Sequence, residues 1–225
     1  MHARDFLPRL VLAAAIAGGV GYIFTWDLEL PKALHVAAKG AGVGLLALYA
    51  ALLAKDADGI RIAAVMAFGA LGDVLLDAVG LQVGAVAFLV GHVIAITLYA
   101  QNLRSPLSPA RIAGAAAFVL LVCAAAYSLP ADRAGAPAVA LYTAGLAAMA
   151  AMAWMSRFPR TSTGVGALMF VASDLLIFGQ LGPWDGAPGI GLGIWGLYFG
   201  GQLLICLGVT RTLAAAPRTF RPVTA

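Results

Sequence analysis

Residues 60–102 read IRIAAVMAFGALGDVLLDAVGLQVGAVAFLVGHVIAITLYAQN. An apolar run lies on each side of Gly80, and each run has the roughly 20 residues that one membrane crossing needs. Ionisable residues interrupt both runs: Asp73 and Asp77 lie in the first, and His92 lies in the second. The stretch therefore predicts two membrane-spanning helices, joined by a tight turn, that carry ionisable side chains inside the membrane.

The composition of the whole chain extends this prediction. Of the 225 residues, 62% are hydrophobic and 11% are charged, whereas soluble domains average about 45–50% and ~25%. Those values exclude an ordinary soluble domain and a disordered chain. Apolar runs of spanning length lie near 9–26, 33–54, 60–79, 83–102, 110–129, 137–155, 164–181 and 189–213. Because their connections are short, the sequence predicts an all-α, polytopic bundle of eight transmembrane helices that forms one domain over residues 1–225.

The distribution of basic residues predicts the orientation of the bundle. Cytoplasmic loops of membrane proteins collect Lys and Arg. With eight spans and a cytoplasmic N-terminus, the inner side receives Arg4, Arg9, Lys55, Arg61, Arg104, Arg111, Arg157, Arg160, Arg211, Arg218 and Arg221. The outer side receives only Lys32 and Arg133, and Lys39 lies within a span. Both termini are therefore predicted to be cytoplasmic.

The same sequence disfavours several classes of site. The pI is about 9.3, but basic residues occur singly between apolar runs, so nucleic-acid binding is not expected. Cys123 and Cys206 lie within apolar runs, which indicates buried thiols and not a disulfide framework. No Cys or His pair has the spacing of zinc ligands and no nucleotide-binding glycine motif occurs, so we expect neither a metal nor a cofactor. Trp154, Trp184 and Trp195 fall near span ends, where interfacial aromatic residues lie.

Nine polar residues inside the apolar spans are the candidate functional residues. Five are Lys, Asp or His and four are Tyr, Ser or Gln: Lys39, Asp73, Asp77, His92 and Asp174, then Tyr142, Ser173, Tyr198 and Gln202. A charge at the centre of a transmembrane helix costs about 2.5–3.5 kcal/mol on insertion scales, so three carboxylates require an explanation. They either form a functional site that faces the bundle interior or hold helices together by hydrogen bonds. We favour a functional site for Asp73 and Asp174 and leave Asp77 open between the two.

The depths of these residues allow them to share one layer of the membrane. At a rise of about 1.5 Å per residue, Asp73 lies about 20 Å and Asp174 about 15 Å from the inner ends of their helices. Four others lie about 8–14 Å from the outer end: Lys39, His92, Tyr142 and Tyr198. Three aspartates and one lysine in that layer would leave a net negative charge if all were ionised, which low dielectric and like-charge repulsion oppose. At least one aspartate is therefore expected to hold a proton near neutral pH.

Two classes of function use a protonated carboxyl group beside an ionised one. An enzyme uses the pair as a general acid and a stabilising anion. A proton-coupled transporter uses carboxylates as a relay, and the similar strings Gly72–Leu76 and Ser173–Ile177 fit the parallel duplication found in some transporters. Duplication and chance recurrence in this composition both remain open. Neither charged helix has a proline interruption at the level of its aspartate, which counts against transport.

Four motifs, taken in order, resemble a known membrane-protein family. They are Gly72-Asp73-Val74-Leu75-Leu76, Phe88-x-x-Gly91-His92, Gly166-Ala167-x-x-Phe170-x-x-Ser173-Asp174 and Tyr198-x-x-x-Gln202. Together they resemble the YhhN-like family of eight-helix membrane proteins over the second to eighth spans. In this resemblance Lys39 corresponds to a family lysine in the second helix, although Gly40 stands where a proline is usual.

The resemblance implies an enzymatic activity. Characterised members of the family are lysoplasmalogenases, so it implies hydrolysis of the vinyl ether bond of a lysoplasmalogen to a fatty aldehyde and a glycerophospho-head group. The reactants would be a lysophospholipid and water, with no cofactor, and the choline or ethanolamine head group is left open. A proton-coupled small-solute transporter is the alternative. An alanine- and arginine-rich composition indicates a bacterium, and hence its inner membrane.

The candidate residues receive expected roles from this chemistry. Asp73 and Asp174 are the expected acid and stabilising anion, in either assignment. Four neighbours are expected either to orient water and the carboxyl groups or to bond between helices: His92, Tyr142, Tyr198 and Gln202. Lys39 is expected to keep one carboxylate ionised or to contact the substrate phosphate near the outer surface.

Overall fold

The computed structural model describes residues 3–215, with side chains from residue 6 onward. Eight α-helices follow one another along this part of the chain: α1 Ala3–Gly21, α2 Lys32–Leu53, α3 Ala57–Ala78, α4 Leu81–Ala100, α5 Pro109–Ser128, α6 Ala136–Met155, α7 Val165–Gln180 and α8 Ile190–Ala215. A 3₁₀ turn, Tyr22–Thr25, extends α1, and a π-helical turn, Arg160–Gly164, precedes α7. No strand occurs in this range; Leu103 and Ser156 form one isolated antiparallel bridge.

Eight helices in the described range are long and apolar enough to cross a membrane. They correspond to the eight predicted spans, and the ends agree within about one helical turn except at the first span, where α1 begins six residues before residue 9 and its 3₁₀ extension ends at Thr25. The all-helical prediction is therefore confirmed for residues 3–215. Arg218 and Arg221, which the sequence assigns to the inner side, lie outside the described residues, as does the side chain of Arg4. The assignment of membrane sides stays a prediction.

Local sequence signals set the helix boundaries. Asp56 caps α3, because its carboxylate accepts a hydrogen bond of 2.8 Å from the Gly59 amide. Ser108 caps α5 in the same way, with Pro109 in the first turn, where a missing amide proton has no effect. Gly80 has a φ of 140°, a conformation that L side chains rarely adopt, and it makes the tight turn from α3 to α4.

The packing order places α3 and α8 at the centre of the bundle. Helix α3 packs against α2, α4 and α8, while α8 also packs against α7 and α2. The core between them is apolar and includes the fully buried side chains Leu46, Met66 and Leu98. Helix α5 packs mainly on α6 and is the least buried of the eight spans. Asp73 on α3 therefore faces the bundle interior, with α7 and α8 nearby.

Candidate active site

A cavity of about 260 Å³ lies between α2, α3, α7 and α8, near the end of the bundle that we predict to be outer. Its polar lining comprises Lys39, Asp73, Ser173, Asp174, Gln180 and Tyr198. Trp26 lies at its rim and is 37% exposed. The two aspartates that the sequence singled out thus line one cavity, although about 100 residues separate them along the chain.

Asp73 is held by a tyrosine from α8. Its side chain is only 2% exposed, and its Oδ2 atom accepts a hydrogen bond of 2.8 Å from the Tyr198 hydroxyl. The same hydroxyl lies 3.3 Å from the Gly69 carbonyl oxygen, one turn earlier on α3. Gln202, one turn after Tyr198 on α8, places its amide beside this hydroxyl and is itself buried. This cluster fixes one face of the carboxyl group against α8.

Asp174 is held by a tyrosine from a different helix. Its Oδ2 atom accepts a hydrogen bond of 2.7 Å from the Tyr142 hydroxyl of α6. That hydroxyl also lies 3.2 Å from His92 Nε2 of α4. Because the Tyr142 proton points to Asp174, the imidazole acts as the donor when Nε2 carries its proton. A chain of hydrogen bonds then runs from His92 through Tyr142 to Asp174.

Both aspartates use only one carboxyl oxygen in hydrogen bonds with the described residues. Within residues 3–215 no hydrogen bond reaches the Oδ1 atom of either Asp73 or Asp174. A carboxyl group that only linked helices would be expected to use both oxygens, because an unpartnered polar atom in a low-dielectric interior is unfavourable. Both residues instead line the same cavity, with one oxygen each left without a protein partner.

Lys39 and Asp77 form an ion pair at the edge of the cavity. Lys39 Nζ lies 2.6 Å from Asp77 Oδ1, and their side chains are 15% and 22% exposed. Asp77 is one turn beyond Asp73 on α3, so the lysine of α2 is tied to the helix that carries Asp73. Lys39 therefore bonds directly to Asp77, while its ammonium group also lines the cavity.

Ser173 and Trp195 connect helices next to the cavity. Ser173 Oγ donates a hydrogen bond of 2.9 Å to the Ile194 carbonyl oxygen and so joins α7 to α8. Trp195 is only 4% exposed, and its indole nitrogen donates to the Gly19 carbonyl oxygen at 2.7 Å. The expectation that Trp195 is interfacial is wrong: this side chain is part of the buried cavity wall. Its position three residues before Tyr198, on the same face of α8, is the sequence signal that indicates this location.

An aromatic cluster closes the inner side of the cavity. Phe88 of α4 makes edge-to-face contacts with Phe170 and Tyr198, with ring centroids 5.9 and 5.8 Å apart. The close approach of Phe88 to α3 requires Gly72, because a Cβ atom there would lie 2.7 Å from the Phe88 ring. Tyr22, which the sequence did not single out, adds a ring to the opposite wall, 4.5 Å from Trp195. Nothing in the sequence around Tyr22 distinguishes it from other interfacial aromatic residues.

Comparison with known proteins places this arrangement in a family. The model of the YhhN family matches residues 34–209, which includes every candidate residue from Lys39 to Gln202. The chain belongs to the YhhN family. Comparisons with curated proteins and with solved structures found no match. The YhhN match therefore spans α2 to α8 and contains both aspartates, both tyrosines and the ion pair.

The cavity of this YhhN-family chain combines ionisable groups with apolar walls. Its two carboxyl groups are buried among largely apolar side chains, where charges interact more strongly than in water. Phe88, Leu76 and Ile177 provide apolar walls, while Lys39 supplies a cation at the edge of the cavity. Within the described residues, no group of three or more His, Cys, Asp and Glu side chains is arranged to hold a metal ion.

Proposed function

We propose that this protein is an integral-membrane hydrolase that cleaves the vinyl ether bond of lysoplasmalogens. Membership of the YhhN family supports the proposal. The observation that carries it is the pair of buried aspartates, Asp73 and Asp174, which face one cavity and each keep one free carboxyl oxygen. A vinyl ether is opened by an acid and a stabilising anion, and this pair supplies both groups.

The reaction uses the pair in two stages. In the first, the protonated aspartate transfers its proton to the β-carbon of the vinyl ether. The α-carbon and the ether oxygen then share the positive charge as an oxocarbenium ion. The ionised aspartate stabilises this cation electrostatically. In the second, water adds to the cationic carbon and returns one proton to the first aspartate. The resulting hemiacetal breaks its bond to the glycerol oxygen, which gives a fatty aldehyde and a glycerol hydroxyl group.

We assign the acid to Asp73 and the anion to Asp174. Hydrogen bonds donated to a carboxylate favour its charged form. Asp174 is at the end of a chain of two donors, since Tyr142 is itself contacted by His92. Tyr198, the donor to Asp73, likewise has a second group beside it, the Gln202 amide. Its hydroxyl, however, divides its proton between Asp73 and the Gly69 carbonyl oxygen. The donor chain therefore supports negative charge at Asp174 more strongly.

The cavity also suggests how the substrate is oriented. Lys39 lies at the edge near the predicted outer surface, where it would contact the phosphate of the head group. A second cavity of about 30 Å³ shares five lining residues with the first and continues between α4 and α7. Ala85, Ile177 and Phe178 line it, and all three are compatible with a hydrocarbon chain. The alkenyl chain would then leave the site between α4 and α7 toward the lipid, while the vinyl ether remains beside the aspartates.

The test measures aldehyde release by purified protein in detergent micelles that contain lysoplasmalogen. Asp73→Asn and Asp174→Asn should each lower turnover by about 10²–10⁴-fold, the range for loss of a general acid–base group. The double variant should be little worse than the worse single variant, because residues that act as a unit are not additive. Asp77→Asn is the matched control: it lies on the same helix, is bound to Lys39 and should lose much less activity. Well-folded asparagine variants at Asp73 and Asp174 with normal turnover would refute the mechanism.

The pH dependence distinguishes the two aspartates. The rate should fall at high pH in the native protein, because an acid group must carry its proton to donate it. In Asp73→Asn this dependence should be replaced by a rate that rises steadily with proton concentration, since vinyl ethers are opened by solvent acid. In Asp174→Asn the alkaline fall should persist at a lower overall rate. The reverse pattern would exchange the two assignments.

The detergent assay also separates this proposal from proton-coupled transport. A transporter has activity only across a sealed membrane, whereas a hydrolase releases aldehyde in micelles. Helices α3 and α7 continue without interruption past Asp73 and Asp174, unlike the broken helices at many transporter sites. Solute uptake into sealed vesicles without aldehyde release in micelles would favour the transporter.

A further inference from the structure

A second large cavity lies at the other end of the bundle, between α5, α6 and the start of α7. Its volume is about 390 Å³, and its lining contains no residue of the candidate active site. We call it the α5–α6 groove; Arg111, Trp154 and Arg160 line its polar end, and Gly114, Phe118 and Leu168 line its apolar part. Ligand sites in proteins commonly have volumes of about 300–1,000 Å³. This groove therefore has the size of a ligand site and faces the lipid.

The arginines at this end of the bundle differ in how far their guanidinium groups are already bonded. Arg61 pairs with Asp58 at 2.6 Å, and Arg157 donates to the Asn102 side chain at 2.6 Å. Among the described residues, no side-chain hydrogen bond or ion pair involves the Arg111 guanidinium.

Arg160 is held in place but keeps donors free. Its Nε atom donates to the Trp154 carbonyl oxygen at 3.0 Å, and its guanidinium lies 5.5 Å from the Trp154 ring centroid. Its two terminal nitrogens have no partner among the described residues. No carboxylate lines the groove. Two positive charges therefore remain uncompensated at one end of an apolar groove.

The apolar part of the groove is long enough to hold a segment of an acyl chain. Arg111, Gly114, Ala115 and Phe118 follow one face of α5 at the i, i+3, i+4 and i+7 positions. At about 1.5 Å per residue, this face extends roughly 10 Å from the charged end into the membrane. The small side chains of Gly114 and Ala115 leave the space open: a Cβ atom added at Gly114 would meet nothing within 4 Å.

We propose that the α5–α6 groove binds one anionic phospholipid of the surrounding membrane. The phosphate lies between the Arg111 and Arg160 guanidinium groups, and one acyl chain follows the apolar face of α5. Arginine forms bidentate bonds with phosphate oxygens, and basic pockets between transmembrane helices select anionic head groups. Both arginines are among the residues that the sequence assigns to the cytoplasmic side, where anionic lipids are attracted to basic residues. The bound lipid fills the space beside α5, which otherwise packs mainly on α6.

The experiment measures lipid binding to the delipidated full chain in detergent by native mass spectrometry. One molecule of phosphatidylglycerol should bind tightly to each chain, and phosphatidylcholine with the same acyl chains should bind much more weakly. The double variant Arg111→Gln/Arg160→Gln should weaken phosphatidylglycerol binding by roughly 30-fold, which corresponds to ~1 kcal/mol for each basic residue near a lipid surface. The control Lys55→Gln/Arg211→Gln removes equal charge from exposed residues at the same end, away from the groove, and should leave binding unchanged.

A third variant tests the apolar part of the groove. Gly114→Leu keeps both arginines but fills the space that the acyl chain would occupy, so it should also abolish tight binding of phosphatidylglycerol. Glycerol phosphate, which has the anionic group without the chains, should not compete at the concentrations at which the lipid binds. Equal binding of both lipids would overturn the proposal, as would an equal loss in the control variant or competition by glycerol phosphate. Aldehyde release in micelles is recorded for the same variants, so this result is independent of the proposed hydrolase activity.

Discussion

Removal of the Tyr142 hydroxyl tests the donor chain at Asp174. In Tyr142→Phe, Asp174 loses its hydrogen bond of 2.7 Å and with it the connection to His92. A hydrogen bond to a charged group contributes about 1.5–3 kcal/mol. At about 1.36 kcal/mol for each factor of ten, the ionised form of Asp174 would be disfavoured by roughly 10- to 150-fold. We expect kcat to fall by that factor near neutral pH and to recover partly at higher pH, where Asp174 ionises again.

The matched variant is Tyr198→Phe, which removes the hydroxyl bound to Asp73. If Asp73 is the protonated acid, the lost bond involves a neutral carboxyl group and contributes only about 0.5–1.5 kcal/mol, a factor of roughly 2–13 in rate. The assay is aldehyde release against pH, with the detergent melting temperature measured alongside. A larger loss in Tyr198→Phe than in Tyr142→Phe would reverse the assignment. Unchanged turnover in both variants would refute the role of the tyrosines.

Three further predictions concern packing, substrate length and orientation. Gly72→Ala should destabilise the protein by about 1–3 kcal/mol, as in other overpacked cores, because the new methyl group would lie 2.7 Å from the Phe88 ring. Gly114→Ala, where the methyl group meets nothing within 4 Å, should not lower the melting temperature, because alanine also has the higher helix propensity. Ala85→Phe should fill the cavity of about 30 Å³ between α4 and α7 and raise KM for substrates with long alkenyl chains more than for those with short ones. Equal effects on both substrates would contradict an exit of the chain between α4 and α7. Cysteine introduced next to Arg133 should react with an impermeant thiol reagent in intact cells, and cysteine next to Arg157 should not; the opposite labelling would reverse the predicted topology.

Much of the helical architecture could be predicted from the sequence because the membrane restricts the possibilities. Apolar run length alone fixes the number of helices, since each unbroken run of about 20 residues has one stable conformation in lipid. Small residues and caps then set the ends, as Asp56 and Gly80 illustrate. The depth of each polar residue follows from the helical rise, which is why Asp73 and Asp174 were expected in one layer, and they do line one cavity.

The partners of the polar residues could not be predicted in the same way. Which tyrosine holds which aspartate depends on the order in which helices pack side by side, and amphipathic patterns are weak when every face is apolar. The Tyr142 bond to Asp174 follows from contact between α6 and α7, and the Tyr198 bond to Asp73 from contact between α3 and α8. Similarly, nothing in the sequence indicates that Lys39 binds Asp77 directly.

The way these aspartates are bonded also bears on whether they serve stability or chemistry. A buried carboxyl group that stabilises a bundle gains from every hydrogen bond it can form, because each unpaired oxygen is unfavourable in a low dielectric. Asp73 and Asp174 each accept one bond from a neighbouring helix, leave the other oxygen without a protein partner and line a cavity with apolar walls. Proteins commonly retain such unfavourable arrangements where function requires them. Asparagine at either position keeps an oxygen for the tyrosine and removes a buried ionisable group, so we expect these variants to melt at or above the native temperature while turnover falls. Parallel loss of melting temperature and turnover would instead assign the aspartates to helix packing.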